Sequence, residues 1–421
     1  MKRVKFFAAI MIGTIVFSCT TASKKDTKEK IIKAPDPVIT DTTMKNFYPG
    51  GRVSSEGAIK KVDGKPVRHG DWVFYYETGV KKMEGAFVDN KANGIFKNYN
   101  EKGELTVETT FVNEDMQGKK ISYYPNGKVK TEEPYVKNKI NGKLIKYFDT
   151  GTKMLEQYYV DGIKSGTSTS YYEDGTVKIF ATYKDGSYNG TWYENYPTGA
   201  KKMEGRYVPV PESEKTGTPA DKEKEGYKTG IWVMYYQNGN KAMTGKFDND
   251  RKEGTWQVFH QDGWLESEGP YVKGGQTGIW NYYDNKKQIV ARYTMKGAMI
   301  NGPSWQYENG RLTGEGRLSG LVKNPKRNGE FKEYYPNGTV KSDGNYMMNK
   351  KSGLFKEYHP NGNLMAEGKY MNNVRNGDWK FYLQDGRSPD TVNSGYYGMG
   401  TLKKGLGKMD SMKKKDDDQD K

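Results

Sequence analysis

Apolar and aromatic positions recur along most of the chain in one fixed frame. The segments GDWVFYYETGVKKMEGAF (70–87) and GIWVMYYQNGNKAMTGKF (230–247) place glycine, tryptophan, paired tyrosines, a second glycine and a closing aromatic at the same offsets. The first glycine falls at 70, 94, 118, 142, 166, 190, 230, 254, 278, 302, 329, 353 and 377. The step is 24 residues except for one of 40, which is 24 plus a 16-residue insertion, and one of 27. A partial copy, FYPGGRVSSEGA (47–58), precedes the set. Two places after the first glycine stands a ring in most copies: Trp72, Phe96, Trp192, Trp232, Trp256, Trp280, Phe331, Phe355 and Trp379. An aromatic such as Tyr75, Tyr235, Tyr334 or Tyr358 occupies the fifth place, and another the seventeenth. Beyond the second glycine the residues alternate, as Val177, Ile179, Ala181 and Tyr183 do. That is the period of a strand with one side toward a core.

Turn chemistry completes the unit. Asn126-Gly127, Asp174-Gly175, Asn238-Gly239, Asn337-Gly338 and Asn361-Gly362 lie between aromatic or β-branched runs. Such pairs predict two-residue hairpin turns in which both residues take positive φ. The first glycine often follows Asn, as at Asn93, Asn141 and Asn189, which predicts a second turn there. A glycine recurs at the fifteenth place (Gly85, Gly205, Gly245, Gly269, Gly344, Gly368), where it marks a bulge or lets a ring lie on the backbone. The expected fold is all-β, an elongated array of about 13 hairpin repeats of 24 residues. At about 4.8 Å per strand, 26 strands span roughly 125 Å before twist. Rings from successive hairpins are expected to form one continuous slab.

Composition narrows the choice further. Apolar residues make up only 34% of the 421, yet there are 33 Tyr, 15 Phe, 8 Trp and 51 Gly. Thick globular cores are excluded by the first figure, and a solvated coil by the aromatics. A thin repeat fold satisfies both.

On these residues the body resembles the MORN repeat, in the variant form of bacterial proteins and of the YwqK-type antitoxin family. The pattern G-x-W-x-x-Y-Y-x-N-G-x-x-x-x-x-G-x-Y is matched almost in full at 230–247, and at 70–87 with Thr before the second glycine. The resemblance implies antiparallel hairpins laid side by side, each touching mainly its neighbours. Two copies depart from the frame and are expected to be distorted. Lys287 replaces the second glycine in copy 278, and Trp305 sits one place late in copy 302. The repeats divide into blocks 44–207 and 230–397, with an insertion loop at 208–229 and a charged tail at 398–421.

The start of the chain carries a different signal. Lys2, Arg3 and Lys5 precede the apolar run FFAAIMIGTIVF, which ends at Ser18-Cys19. Twelve residues rise about 18 Å as a helix, short of a bilayer core. A basic start and a short apolar middle form a secretory signal over 1–18. Ser18 and Cys19 resemble the cleavage and lipidation site of bacterial lipoprotein precursors, with Val16 and Phe17 departing from the commonest form. The resemblance implies cleavage before Cys19, an acylated Cys19, a flexible tether over 19–43, and attachment to the cell envelope, at the outer membrane or cell surface. As the single cysteine, Cys19 excludes an internal disulfide.

Formal charge is +16 for the whole chain. Without Lys2, Arg3 and Lys5 it becomes 65 basic minus 52 acidic residues, or +13. Lysines recur after the second glycine, as at Lys81, Lys82, Lys128, Lys130, Lys178, Lys201 and Lys341. They read either as a solvent face or as a basic stripe meeting an acidic partner. Nucleic acid is disfavoured by the export signal. His69, His260 and His359 have no metal-ligand spacing, and no nucleophile elbow, zinc or phosphate-loop motif occurs. The expectation is a non-enzymatic, cofactor-free, monomeric, lipid-anchored scaffold for a protein or envelope glycan or lipid. Toxin neutralisation and cell-wall polysaccharide binding are the alternatives. The aromatic rows (Trp72, Tyr75, Trp192, Trp232, Tyr235, Trp256, Trp280, Tyr334, Tyr358, Trp379) are assigned to building the fold, with outward rings left for contact.

Overall fold

The structure is a computed structural model, and it describes residues 35–211 and 226–405. Ser18 and Cys19 lie outside the described residues, as do most of the proposed tether, most of the insertion and most of the tail. Thirty-two strands run from β1 (Val38–Ile39) to β32 (Thr401–Gly405), and no helix forms among the described residues. Consecutive strands pair antiparallel, with two-residue strands at Lys91–Ala92 and Lys139–Ile140 forming the first part of an interrupted strand that pairs back to the same neighbour, giving one open meander. The all-β hairpin array is therefore the fold. It reaches further than the repeat frame: β1 lies within the segment assigned to the tether, and β32 within the segment assigned to the tail.

The two kinds of turn exchange the roles expected of them. At Asn126-Gly127 only the glycine has positive φ, at 79°. Gly127 N–H donates to the Tyr124 carbonyl (2.9 Å) and Tyr124 N–H to the Lys128 carbonyl (2.8 Å). This is a three-residue loop, a tight turn followed by a left-handed glycine that forms a bulge. The ladder consequently slips by one residue at the fifth place of each regular copy, as between Phe74 and Tyr75. The asparagine there serves through its side chain. Asn126 Oδ1 accepts from Lys128 N–H (3.0 Å), and Nδ2 donates to the Asp149 carbonyl of the next hairpin (2.9 Å).

The two-residue turns with both φ positive join one copy to the next. They lie four to five residues before the first glycine, not at it: Asp89 (52°) and Asn90 (66°), Asn249 (47°) and Asp250 (64°), Asn372 (51°) and Asn373 (71°). The first glycine instead marks a bulge inside the strand, with φ of 108° at Gly70. Across the insertion, β17 (Lys201–Val208) pairs with β18 (Tyr227–Tyr235), Val208 opposite Tyr227. The extra residues thus stand where other copies have this two-residue turn.

One face of the sheet holds the core. Residues at the second and seventeenth places interlock edge to face: Trp232–Phe247 (5.9 Å), Phe247–Trp256 (5.0 Å), Trp256–Tyr271 (5.9 Å), Tyr271–Trp280 (5.4 Å). A second run extends from Phe331 through Tyr346, Phe355 and Tyr370 to Trp379. Trp72, Trp232, Trp256, Trp280 and Trp379 are fully buried although the sheet is a single layer. Two features allow this. The ring lies on the glycine of the adjacent strand, where a β-carbon at Gly205 would stand 2.2 Å from Trp232. From above, Trp72, Trp232, Trp256 and Trp379 are each covered by a cation four residues earlier in the chain.

The slab is not continuous. The buried rings form one cluster from Ile59 to Phe96 and another from Ala181 to Tyr397. Between them the second place holds Lys120, Leu144 and Ser168, and the paired fifteenth place holds Thr109, Glu133 and Gln157 instead of glycine. Where the ring is missing, the glycine that would receive it is missing too.

The two departing copies behave differently. Lys287 keeps the hairpin loop by adopting a φ of 64° itself, with Lys287 N–H donating to the Asp284 carbonyl (3.0 Å). In copy 302 the turn is a two-residue one, Asn309 (50°) and Gly310 (73°). Ser304, fully buried, takes the place of the core ring. Trp305, one residue later, therefore points to the opposite face.

Candidate functional site

The aromatic rows predicted from sequence fall on different surfaces. Trp72, Trp192, Trp232, Trp256, Trp280 and Trp379 are in the core face and are not available for contact. Tyr75, Tyr235 and Tyr334, at the fifth place, lie half-buried on the open face. There the Tyr75 hydroxyl donates to Glu56 (2.8 Å), Tyr235 to Glu204 (2.7 Å), and Tyr334 to Glu315. The same bond joins Tyr99 to Glu84 (2.6 Å), Tyr147 to Glu132 (2.8 Å) and Tyr283 to Glu268 (2.8 Å). Glu84, Glu132, Glu204 and Glu268 stand at the fourteenth place of the preceding copy, and Glu56 and Glu315 are their equivalents in the partial copy and in the shifted copy 302, so the row is a ladder along the sheet. Burial, then the carboxylate bond, pushes the hydroxyls of Tyr99, Tyr147, Tyr235 and Tyr334 up to about 12. The recurring glutamate at the fourteenth place was visible in the sequence, but its partner lies in the next copy.

A second tyrosine row runs along the hairpin tips. The hydroxyls of Tyr76, Tyr124, Tyr172, Tyr236 and Tyr335 donate to the carbonyls of Tyr99, Tyr147, Asn195, Phe259 and Tyr358 at 2.7 to 2.9 Å. Tyr196 makes the same bond to the Tyr235 carbonyl across the insertion (2.9 Å). His359 stands in this row with its Nε2 3.2 Å from the Tyr382 carbonyl. It occupies the sixth place of its copy, where Tyr76 and Tyr335 stand in theirs. His260 instead stacks on Trp264 (4.8 Å).

Cations cap the core face. Arg68, Lys228, Lys252, Arg327, Lys351 and Arg375 each stand two residues before a first glycine. Their charged groups lie 4.4 to 5.0 Å above the rings of Trp72, Trp232, Trp256, Phe331, Phe355 and Trp379. Such contacts favour burial of both partners, by about 0.5–2 kcal/mol each. Burial pulls Arg68 and Lys252 below their ordinary values. Sequence reading missed this row because it credited lysine only after the second glycine. Those lysines prove locally engaged: Lys81 pairs with Glu84 (2.8 Å), Lys153 with Glu156 (2.7 Å), and Lys130 and Lys178 lie over Tyr124 and Tyr172. The basic stripe is thus tied into the open face.

An unbroken antiparallel hairpin meander, stitched at both edges and across one face by bonds repeating every copy, defines a β-hairpin repeat protein. Eight of its segments match the MORN repeat variant: 68–89, 92–113, 116–137, 164–185, 228–249, 252–273, 327–347 and 351–372. No curated protein matches the chain. Among solved structures it is similar to a chain of the TcdB2-TccC3 crystal structure, at 12% identity over 82% of this chain and 24% of that one, with a TM-score of 0.16. It is also similar to a chain of the Photorhabdus luminescens Tc holotoxin pore, at 11% identity over 86% of this chain and 21% of that one, with a TM-score of 0.16. The protein spans about a quarter or less of the length of these chains.

Proposed function

We propose that the protein is a non-enzymatic, lipid-anchored repeat protein of the cell envelope whose open face serves as a binding or scaffolding surface. One observation carries the reading. The core face is committed to internal contacts, whereas the open face exposes large side chains over many copies, with Ile231 at 64% and Leu354 at 70% exposure. Exposed apolar positions set among charges in a rigid plane are a common form of interaction surface. The anchor rests on the sequence at Ser18-Cys19 alone.

Two experiments test the two halves. Palmitate labelling of cells expressing the wild type and Cys19→Ala is expected to mark only the former; equal labelling would refute the anchor. Photo-crosslinkers placed at Ile231 and Leu354 are expected to capture a partner in intact cells, with none captured from probes at the buried Trp232. Capture that is the same from both faces would remove the assignment of the open face.

A further inference from the structure

The one-residue displacement in copy 302 has a consequence on the open face. Among the described tryptophans, six lie in the core face and Trp264 stacks at a hairpin tip; Trp305 alone is carried by a strand onto the open face. It stands at the rim of a groove of about 1080 Å³. The groove crosses five strands, β24 (Met299–Glu308), β25 (Arg311–Leu321), β26 (Asn324–Tyr334), β27 (Val340–Met347) and β28 (Lys350–Tyr358). Four strand spacings give it a span of roughly 19 Å.

At the far end lies Tyr358. Its place in the tyrosine–glutamate ladder is altered, because the fourteenth residue of the preceding copy is Asp343 rather than glutamate. One methylene shorter, Asp343 pairs instead with Lys332 (3.7 Å). The Tyr358 hydroxyl makes no hydrogen bond among the described residues and borders the groove. The lining carries three anions, Glu315, Glu330 and Asp343, and three cations, Arg317, Lys332 and Lys356. Leu354 adds an exposed apolar surface beside them.

We infer that this groove binds a neutral oligosaccharide. A sugar ring offers an apolar C–H face, which packs on an indole, and a rim of hydroxyls that both donate and accept. The lining supplies donors from Arg317, Lys356 and the Tyr358 hydroxyl, and acceptors from Glu330 and Asp343. Its balanced charge disfavours a polyanion, which selects for a one-signed surface. A peptide that binds by adding a strand needs a free strand edge. Here every strand under the groove is paired on both sides. The length of the groove suits several linked sugar units better than one. The inference does not depend on the lipid anchor.

The test is a glycan array bearing neutral and acidic oligosaccharides, probed with the full-length chain in detergent. Wild type and Trp264→Ala, whose ring is remote from the groove, should retain the same neutral glycans. Trp305→Ala should weaken retention at least tenfold, and Tyr358→Phe several-fold, with far-ultraviolet spectra and thermal midpoints of both variants checked against wild type. Tyr358→Phe keeps the ring and removes only the hydroxyl, so it reports on recognition even if Trp305→Ala fails to fold. Retention of no glycan, of acidic glycans only, or equal retention by wild type and both variants would overturn the inference. Those results would leave crosslinking at Ile231 and palmitate labelling unchanged, so the broader reading fails or stands separately.

Discussion

Trp256 lies flat against Gly245, so close that a β-carbon on the glycine would stand 2.2 Å from the indole Cδ2. The indole N–H donates to the Lys246 carbonyl next door (3.0 Å), which fixes the ring in that position. The same pairing of ring and glycine recurs at Gly269–Trp280 and Gly368–Trp379. It is how a single-layer sheet buries its largest side chains.

Gly245→Ala is therefore expected to destabilise the array by about 1–3 kcal/mol, the usual cost of overpacking. Trp256→Ala should cost about 3–5 kcal/mol. The double variant should cost clearly less than the sum, because the added methyl occupies space the indole has left. Urea unfolding of the four proteins of this cycle measures the coupling; strict additivity would show that ring and glycine do not meet.

The hairpin tip separates two roles that the dipeptide Asn-Gly had merged. Asn238 does not need positive φ; it accepts from Asn240 N–H (3.0 Å) and donates to the Gln261 carbonyl (2.8 Å). Asn238→Gly should thus cost about 1 kcal/mol through the lost hydrogen bonds. Gly239→Ala should cost about 1–2 kcal/mol because φ is 89° there. Were the tip a two-residue turn with both φ positive, Asn238→Gly would be neutral or stabilising in the same unfolding assay.

Lys287 provides the converse case. A lysine held at a φ of 64° strains the backbone that glycine occupies in the other copies. Lys287→Gly is expected to stabilise the protein by about 1 kcal/mol, read as a higher urea midpoint. A lower midpoint would mean that the lysine side chain holds the loop by other means.

The open-face ladder contributes to the pH dependence of stability. The carboxyls of Glu56, Glu84, Glu132 and Glu156, hydrogen-bonded to lysine and then to tyrosine, and that of Glu204, bonded first to Tyr235, all lie below the usual range. Their contribution is complete above the ordinary carboxylate value and is lost as pH falls through the lowered one. The tyrosine hydroxyls at about 12 work in the opposite sense: their contribution is complete below about 10 and disappears as pH rises through 12. Thermal midpoints measured across pH should show a plateau between about 5 and 9.5 with a fall on each side. Glu84→Gln should make the acid fall shallower.

The sequence announced the hairpin frame because its marks are local: a glycine where φ is positive, alternation where one face is covered. Gly85, Gly205 and Gly245 were legible as landing places for rings, since they share parity with buried positions. What escaped were the bonds between copies. The Asn126 side chain reaches Asp149, and Tyr75 reaches Glu56, partners 23 and 19 residues away that no single frame displays. The place of the two-residue turns was hidden because Asp89-Asn90 lacks glycine, while the glycine at 94 drew attention to a bulge. The break in the ring slab at Lys120, Leu144 and Ser168 was present in the residues, but only the cross-strand register pairs it with Thr109, Glu133 and Gln157. As a candidate site, Trp305 was visible as a displaced residue; its face followed from strand alternation once the register was known.

The central claim is that all repeats join one extended sheet. Small-angle X-ray scattering of the full-length chain tests it most directly. The account predicts a rod-like pair-distance function with a long linear descent and a radius of gyration above about 30 Å, given strand spacings of about 4.8 Å. A bell-shaped function with a radius of gyration near 22 Å, the value for a compact chain of this length, would contradict it.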